Sequence, residues 1–185
     1  MRFLKLLVLY AGLAAGANPA VAGTEALFAL AQGDLARLQL LGESRAVPQT
    51  KMTDAAGRAV DMSAYRGKYV LLNFWALWCA PCVKEMPSLD RLDAALGGEN
   101  FKVVTVATGR NSRPAVDKFF IKRGITRLPK LFDPKMTFLQ DLGGTSLPLT
   151  VLIGPDGREV ARMNGDAEWD SPAAQAMLRG WMSDS

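Results

Sequence analysis

The chain contains no histidine and only two cysteines among its 185 residues. The absence of histidine excludes Ser-His-Asp and Cys-His catalysis and removes the commonest ligand of zinc and copper sites. Two thiolates alone cannot complete a four-ligand structural zinc site, and no carboxylates cluster near the pair in sequence. Charge imbalance is also slight. Lys and Arg number 22 against 18 Asp and Glu, a net +4, and Arg2 and Lys5 supply two of those charges. The remaining bias is scattered, which is an ordinary solvated surface and not a nucleic-acid footprint. Repeats and low-complexity segments are absent too. With 49% apolar residues the chain can bury a sizeable core, so it suits one compact domain behind a targeting segment.

That segment is MRFLKLLVLYAGLAAGANPAVAG. Arg2 and Lys5 precede an apolar run, Leu6 to Ala17, that is short for a bilayer span. Asn18 and Pro19 break the run, and Ala20-Val21-Ala22 supplies the small residues of a peptidase site. Residues 1–22 therefore read as a signal peptide cleaved before Gly23, with an uncleaved anchor as the alternative. Either way the body is exported, and a bacterial periplasm, an oxidising compartment, is the natural setting.

Leucines 27, 30, 35, 38 and 41 recur at mostly three- and four-residue spacings, which reads as an amphipathic helix over Glu25 to Leu41. A connector follows, so residues 23–49 form an N-terminal extension. Residues 50–185 form the main domain. It opens on a hairpin between Lys51 and Met62, and Tyr69 to Ala76 (YVLLNFWA) is a central strand buried on both faces. Val83, Met86, Leu89, Leu92 and Leu96 mark a helix with Pro87 inside it, ending at Gly97-Gly98. Further strands fall at Phe101 to Ala107, Leu149 to Ile153 and Arg158 to Met163, with helices at Ser112 to Arg123, Met136 to Leu142 and after Ser171-Pro172. The order β-α-β-α then β-β-α predicts a three-layer α/β/α sandwich with an N-terminal helix and hairpin extension.

Both cysteines lie in NFWALWCAPCVKEMP, as Cys79 and Cys82. A structural disulfide closing so small a loop removes little chain entropy, so a staple is a weak reading and a redox pair stands in front. The strand ends at Ala76 and the helix starts near Cys79, where unpaired N–H groups and the helix dipole favour a thiolate. Pro81 costs nothing in the first turn, and Cys82 is close enough to reach the Cys79 sulfur. Cys79 then attacks a substrate disulfide, and Cys82 attacks Cys79 to release the reduced substrate.

Here the sequence resembles the thioredoxin superfamily and, within it, the TlpA-like exported thiol–disulfide oxidoreductases. The resemblance rests on Phe74-Trp75-Ala76, Trp78-Cys79-Ala80-Pro81-Cys82, Glu85-Met86-Pro87, Leu147-Pro148 and TVLIGPDGREVARMNGDAEW, and covers most of residues 46 to 183. It implies a thioredoxin-like fold and a periplasmic or membrane-tethered reductant, with no cofactor beyond the Cys79–Cys82 disulfide. The implied clients carry cysteine pairs: a copper-delivery protein, the copper site of cytochrome oxidase, or apocytochrome c. A membrane thiol reductant of the DsbD/CcdA type would supply electrons to a monomer. Pro148 matches a proline that is cis in the superfamily and lies against the sulfurs, and the Leu147 backbone could pair with an extended client peptide. Glu85 matches an acidic residue that handles protons for Cys82 if its pKa is raised. Trp78 would cover Cys79 and offer an apolar contact surface, with Trp75 in the core. Asn73 stands where cytoplasmic thioredoxins carry a buried Asp. It cannot titrate, and its amide is expected to bond backbone or water. Ala80 in place of the usual glycine, and Leu149 where Thr is frequent, bear on potential and partner choice. Two other readings remain beside the reductase, a dithiol oxidase or isomerase and a Cu(I) carrier using both thiolates.

Overall fold

The computed structural model of the chain describes residues 31–183, so the N-terminal signal or anchor lies outside the described residues. Eight strands form one mixed sheet in the order β1-β8-β7-β4-β5-β6-β2-β3. The strands are β1 (Gln39–Ala46), β2 (Met52–Thr53), β3 (Ala59–Val60), β4 (Tyr69–Trp75), β5 (Phe101–Thr108), β6 (Leu131–Asp133), β7 (Leu149–Ile153) and β8 (Arg158–Asn164). Strands β4, β5 and β6 run parallel, and β7, β8 and β1 add antiparallel on the other flank. The helices are α1 (Ala80–Leu96), α2 (Arg113–Arg123), α3 (Thr137–Asp141) and α4 (Pro172–Ser183).

The alternation of side chains along the strands divides the core. Tyr69, Leu71 and Trp75 of β4 face a cluster with Met86, Leu89 and Leu92 of α1, Val116 and Phe120 of α2, and Met177, Leu178 and Trp181 of α4. Val70, Leu72 and Phe74 face the opposite way, onto Phe138 and Leu139 of α3, Leu142, and Met62. Every residue of β4 is buried, as its continuous apolar run demands. The result is the expected α/β/α sandwich.

Local signals account for most boundaries. Cys79 caps α1 at its N-terminus and Gly97 ends it. The Ser112 hydroxyl accepts from the Ala115 amide to start α2. Gly124 ends that helix at φ 65°, a left-handed conformation that glycine adopts without penalty. The short strand β6 had no sequence signal of its own, since an isolated Leu-Phe between Lys130 and Asp133 shows no period.

The N-terminal helix is corrected. Of residues 25–41, those described form a 3-10 turn at Gly33–Arg37 and then enter β1, and the residues read as a connector continue that strand to Ala46. Gly33 sits at φ 60°, which a continuing α-helix does not accept. The leucine spacing misleads because β1 is an edge strand with no buried residue, so it has no apolar–polar alternation to display. Its partner β8 lies over a hundred residues away in sequence.

Asp93 shows how α1 is fastened to the sheet. Its fully buried carboxylate accepts from the Val103 amide at 3.0 Å and from Lys102 Nζ at 2.8 Å, with Arg127 Nε at 3.4 Å. Replacing Asp93 with Ala strands a buried N–H and removes the anion between two cations. Chemical denaturation should show a loss of about 3 kcal/mol. A loss below about 1 kcal/mol would mean that water takes over these bonds.

Candidate functional site

The parallel strand β4 delivers the chain to the sheet's C-terminal edge at Trp75, and α1 begins five residues on, at Ala80. Cys79 occupies the position before the first helical residue. Its backbone is extended (φ −92°, ψ 101°) and its sulfur accepts the Cys82 N–H at 3.3 Å. Pro81 falls in the first turn, where no intrahelical donor is lost. The two sulfurs are joined in a disulfide, with their Cα atoms 5.3 Å apart. The pair is asymmetric. Cys79 retains 6% of its surface, whereas Cys82 is completely enclosed. Beside them Trp78 is 62% exposed, so it stands out from the surface as an apolar platform, while Trp75 is buried against Phe119 and Phe120.

One turn beyond Cys82, Glu85 is buried at 3% exposure. On the α1-facing row of β4 its counterpart is Asn73, the one polar side chain between Leu71 and Trp75. Asn73 Nδ2 donates to Glu85 Oε1 at 2.8 Å and to Thr150 Oγ1 at 3.0 Å. This corrects the expectation that the amide would bond backbone or water. The other carboxylate oxygen, Oε2, accepts from the Ala167 amide and from Trp169 Nε1, both at 3.2 Å. Burial pushes the Glu85 carboxyl up to about 7 from an ordinary 4.5, and these three donors hold it from rising further.

Trp169 and Ala167 escaped sequence reasoning as contacts of the carboxylate. Their only signal was an indole in an otherwise polar loop, Asp166-Ala-Glu-Trp-Asp170. The loop is also pinned from outside by ion pairs, Lys84 with Asp166 at 3.0 Å and Arg91 with Asp170 at 2.5 Å. On the opposite side, the Leu77 amide donates to Asn111 Oδ1 at 2.8 Å, so the segment after β5 is tied to the segment bearing the cysteines.

The Leu147–Pro148 bond is cis and leads directly into β7. Leu147 is half-buried and packs against the cluster that holds Cys79 and Cys82. The Pro148 carbonyl accepts from the Gly165 amide at 3.0 Å. Among the described residues no three His, Cys, Asp or Glu side chains are grouped as metal ligands. The site thus offers a reversible two-electron sulfur couple, with a titratable carboxyl buried one helical turn beyond its inner sulfur.

The Redoxin family profile matches residues 42–178. The thiol-disulfide oxidoreductase ResA of Bacillus subtilis is 31% identical over 125 residues, covering 68% of this chain and 69% of that protein. Two solved structures share the fold. A DsbF homologue from Corynebacterium diphtheriae has a TM-score of 0.66 at 26% identity, covering 80% of this chain and 92% of that one. A secreted Mycobacterium tuberculosis disulfide oxidoreductase homologous to E. coli DsbE has a TM-score of 0.57 at 27% identity, covering 73% and 95%. The chain belongs to the Redoxin family and is a thiol–disulfide oxidoreductase of the TlpA/ResA-like branch of the thioredoxin superfamily.

Proposed function

We propose that the protein is an exported reductant of disulfides in other exported proteins, with Cys79 the attacking sulfur and Cys82 the resolving one. The observation that carries the assignment of the two sulfurs is the asymmetry of the pair: Cys79 sits at the mouth of the site on a helix N-terminus, and Cys82 is sealed behind it. In the reduced protein a Cys79 thiolate keeps the Cys82 N–H as donor and the dipole of α1 as a favourable field. It attacks one sulfur of the client disulfide, forming a Cys79–client bond and expelling the other client sulfur as thiolate. The Cys82 thiolate then attacks Cys79 Sγ, closes the Cys79–Cys82 disulfide and expels the second client sulfur. Two electrons pass to the client.

Cys82 must lose a proton before it attacks, yet it is enclosed and away from water. Glu85, one helical turn on and poised near pH 7, is the group to take that proton. Leu147 and Pro148 shape the surface where an extended client segment docks, and exposed Trp78 supplies apolar contact. Recharging the oxidised pair needs a dithiol donor, for which a membrane thiol reductant of the DsbD/CcdA type has the right chemistry. Clients are exported proteins with cysteine pairs, of the kinds handled in cytochrome oxidase copper-site assembly or cytochrome c maturation. The basic-apolar N-terminus ending in Ala20-Val21-Ala22 and the secreted M. tuberculosis relative support a location outside the cytoplasm, in the periplasm.

Trapping tests the assignment of the two sulfurs. The Cys82→Ser variant, mixed with an oxidised client, should accumulate a Cys79-linked mixed disulfide on non-reducing gels. The Cys79→Ser variant should accumulate none, and the opposite pattern reverses the assignment.

The proton role has its own signature. The rate at which Cys82 resolves a preformed mixed disulfide should rise through an inflection near pH 7. Glu85→Gln should remove that inflection and slow resolution by about a hundredfold at neutral pH. An unchanged pH profile in the variant assigns the proton to another group.

Stability should report the same carboxyl. Its folded pKa lies above the unfolded value, so between pH 4.5 and about 7 the folded state holds a proton that the unfolded chain has released. Stability relative to Glu85→Gln therefore falls as pH rises across that window, by about 3 kcal/mol, and is flat above it. Urea titrations of both oxidised proteins at several pH values measure the difference. A constant difference contradicts the raised pKa.

A further inference from the structure

Strand β1 buries none of its own residues, yet it extends the sheet by a full strand on β8. Besides its backbone pairing and the bonds Ser44 accepts from Arg158, it contributes one side chain that reaches past β8. Arg45 Nε donates to Glu159 Oε2 at 2.7 Å, and Arg45 Nη2 donates to the Leu142 carbonyl at 2.8 Å. Arg162 makes the same two contacts from the other side, with Nη2 to Glu159 Oε2 at 2.8 Å and to the same Leu142 carbonyl at 2.9 Å, and with Nε to Glu159 Oε1. Glu159 itself is fully buried. Burial pushes its carboxyl up, and Arg45 draws it back toward the charged form.

The backbone is bent to build this cluster. Leu152 pairs with Ala161 but Ile153 pairs with Glu159, so Val160 is an extra residue in β8. One inserted residue reverses the side on which the next side chain points. Glu159 would otherwise share the face of Ala161 and Met163, and instead it turns to Arg162 and the end of α3. The register of β1 shifts at the same level, between Leu40 and Arg45, which sets Arg45 opposite Glu159.

Leu142 is the last helical anchor before the segment that leads to Leu147–Pro148. That segment contains Gly143 at φ 70°, and Gly144, where a Cβ would press on Leu139 and Leu149. The Gly143 and Gly144 amides bond back to the Gln140 and Leu139 carbonyls of α3, both at 2.8 Å, and the next backbone bond along the segment is the Pro148 carbonyl to Gly165. Two guanidinium groups on the Leu142 carbonyl therefore add a side-chain hold to these turn bonds where the segment starts, and the Gly165 amide holds it where it ends. We propose that Arg45, Glu159 and Arg162 are positioning residues for the Leu147–Pro148 loop, so that β1 braces the client-docking surface from the back of the sheet. The docking part of this inference rests on the role proposed for that loop above.

The test pairs Arg45→Lys, which keeps a cation beside Glu159 but loses the two-pronged reach to Leu142, with Glu159→Gln. Amide hydrogen exchange reads the loop directly. Residues 143–149 should exchange about tenfold faster in both variants, with α1 and β4 unchanged. Kinetics read the consequence. The KM for insulin as a protein disulfide should rise about fivefold to tenfold in Arg45→Lys, while kcat and the reaction with glutathione disulfide stay within about twofold. A variant that is merely destabilised would lower the unfolding midpoint and leave KM of the folded fraction unaltered. Unchanged exchange in residues 143–149 overturns the brace whatever the kinetics do. Leu147→Ala serves as the control for docking. Faster exchange in Arg45→Lys, with insulin KM unmoved in both Arg45→Lys and Leu147→Ala, would uphold the brace and reject the loop as the docking surface.

Discussion

A carboxyl group that loses its water must find donors or give up its charge, and the surroundings of Glu85 do some of each. Burial favours the neutral form, while donors from Asn73, Ala167 and Trp169 favour the anion. The two tendencies nearly balance at neutral pH. The same bonds tie together three parts of the chain that are distant in sequence: β4 through Asn73, α1 through Glu85, and the loop after β8 through Ala167 and Trp169. Loosening any one of them changes both the packing around Glu85 and the acidity of its carboxyl. Stability and the acidity of Glu85 are therefore two aspects of one cluster.

The remainder of the architecture sets this cluster beside the cysteine pair. A parallel strand must hand its chain to a crossover helix, and the helix N-terminus that results is an anion site. Placing Cys79 there and Cys82 in the first turn puts one sulfur in a favourable field at the surface and the other in the interior. The flank formed by β7 and β8 brings Pro148 and Thr150 to the same end of the sheet, and Thr150 accepts from the Asn73 amide. β1 lies at the far edge of this flank.

The legible part of the molecule is the part whose determinants are local. YVLLNFWA could be read as a buried strand because it is apolar on both faces. The helices of the main domain announced themselves through caps such as Ser112, Ser171-Pro172 and Gly124, and the CxxC spacing carried its chemistry with it. What failed was non-local. The leucines before residue 42 carry a helical period, yet from Gln39 they follow the exposed edge of β8, a partner no window can see. β6 is three residues long and exists because β5 offers it a parallel edge. For Asn73 the sequence suggests only backbone or water as partners, because nothing in it places the amide opposite Glu85. The Trp169 contact has no local signal either, since its indole reaches Glu85 only after β8 and α1 have packed.

On the function proposed above, this couple runs as an electron donor, with its inner sulfur served by Glu85. The most direct measurement is the equilibrium reduction potential of the Cys79–Cys82 pair, followed by tryptophan fluorescence in dithiothreitol or glutathione buffers. A potential near or below that of thioredoxin, about −270 mV, is the predicted result for a reductant fed by a membrane dithiol donor. A value near the oxidising extreme, about −120 mV, would contradict it and make the protein a donor of disulfides.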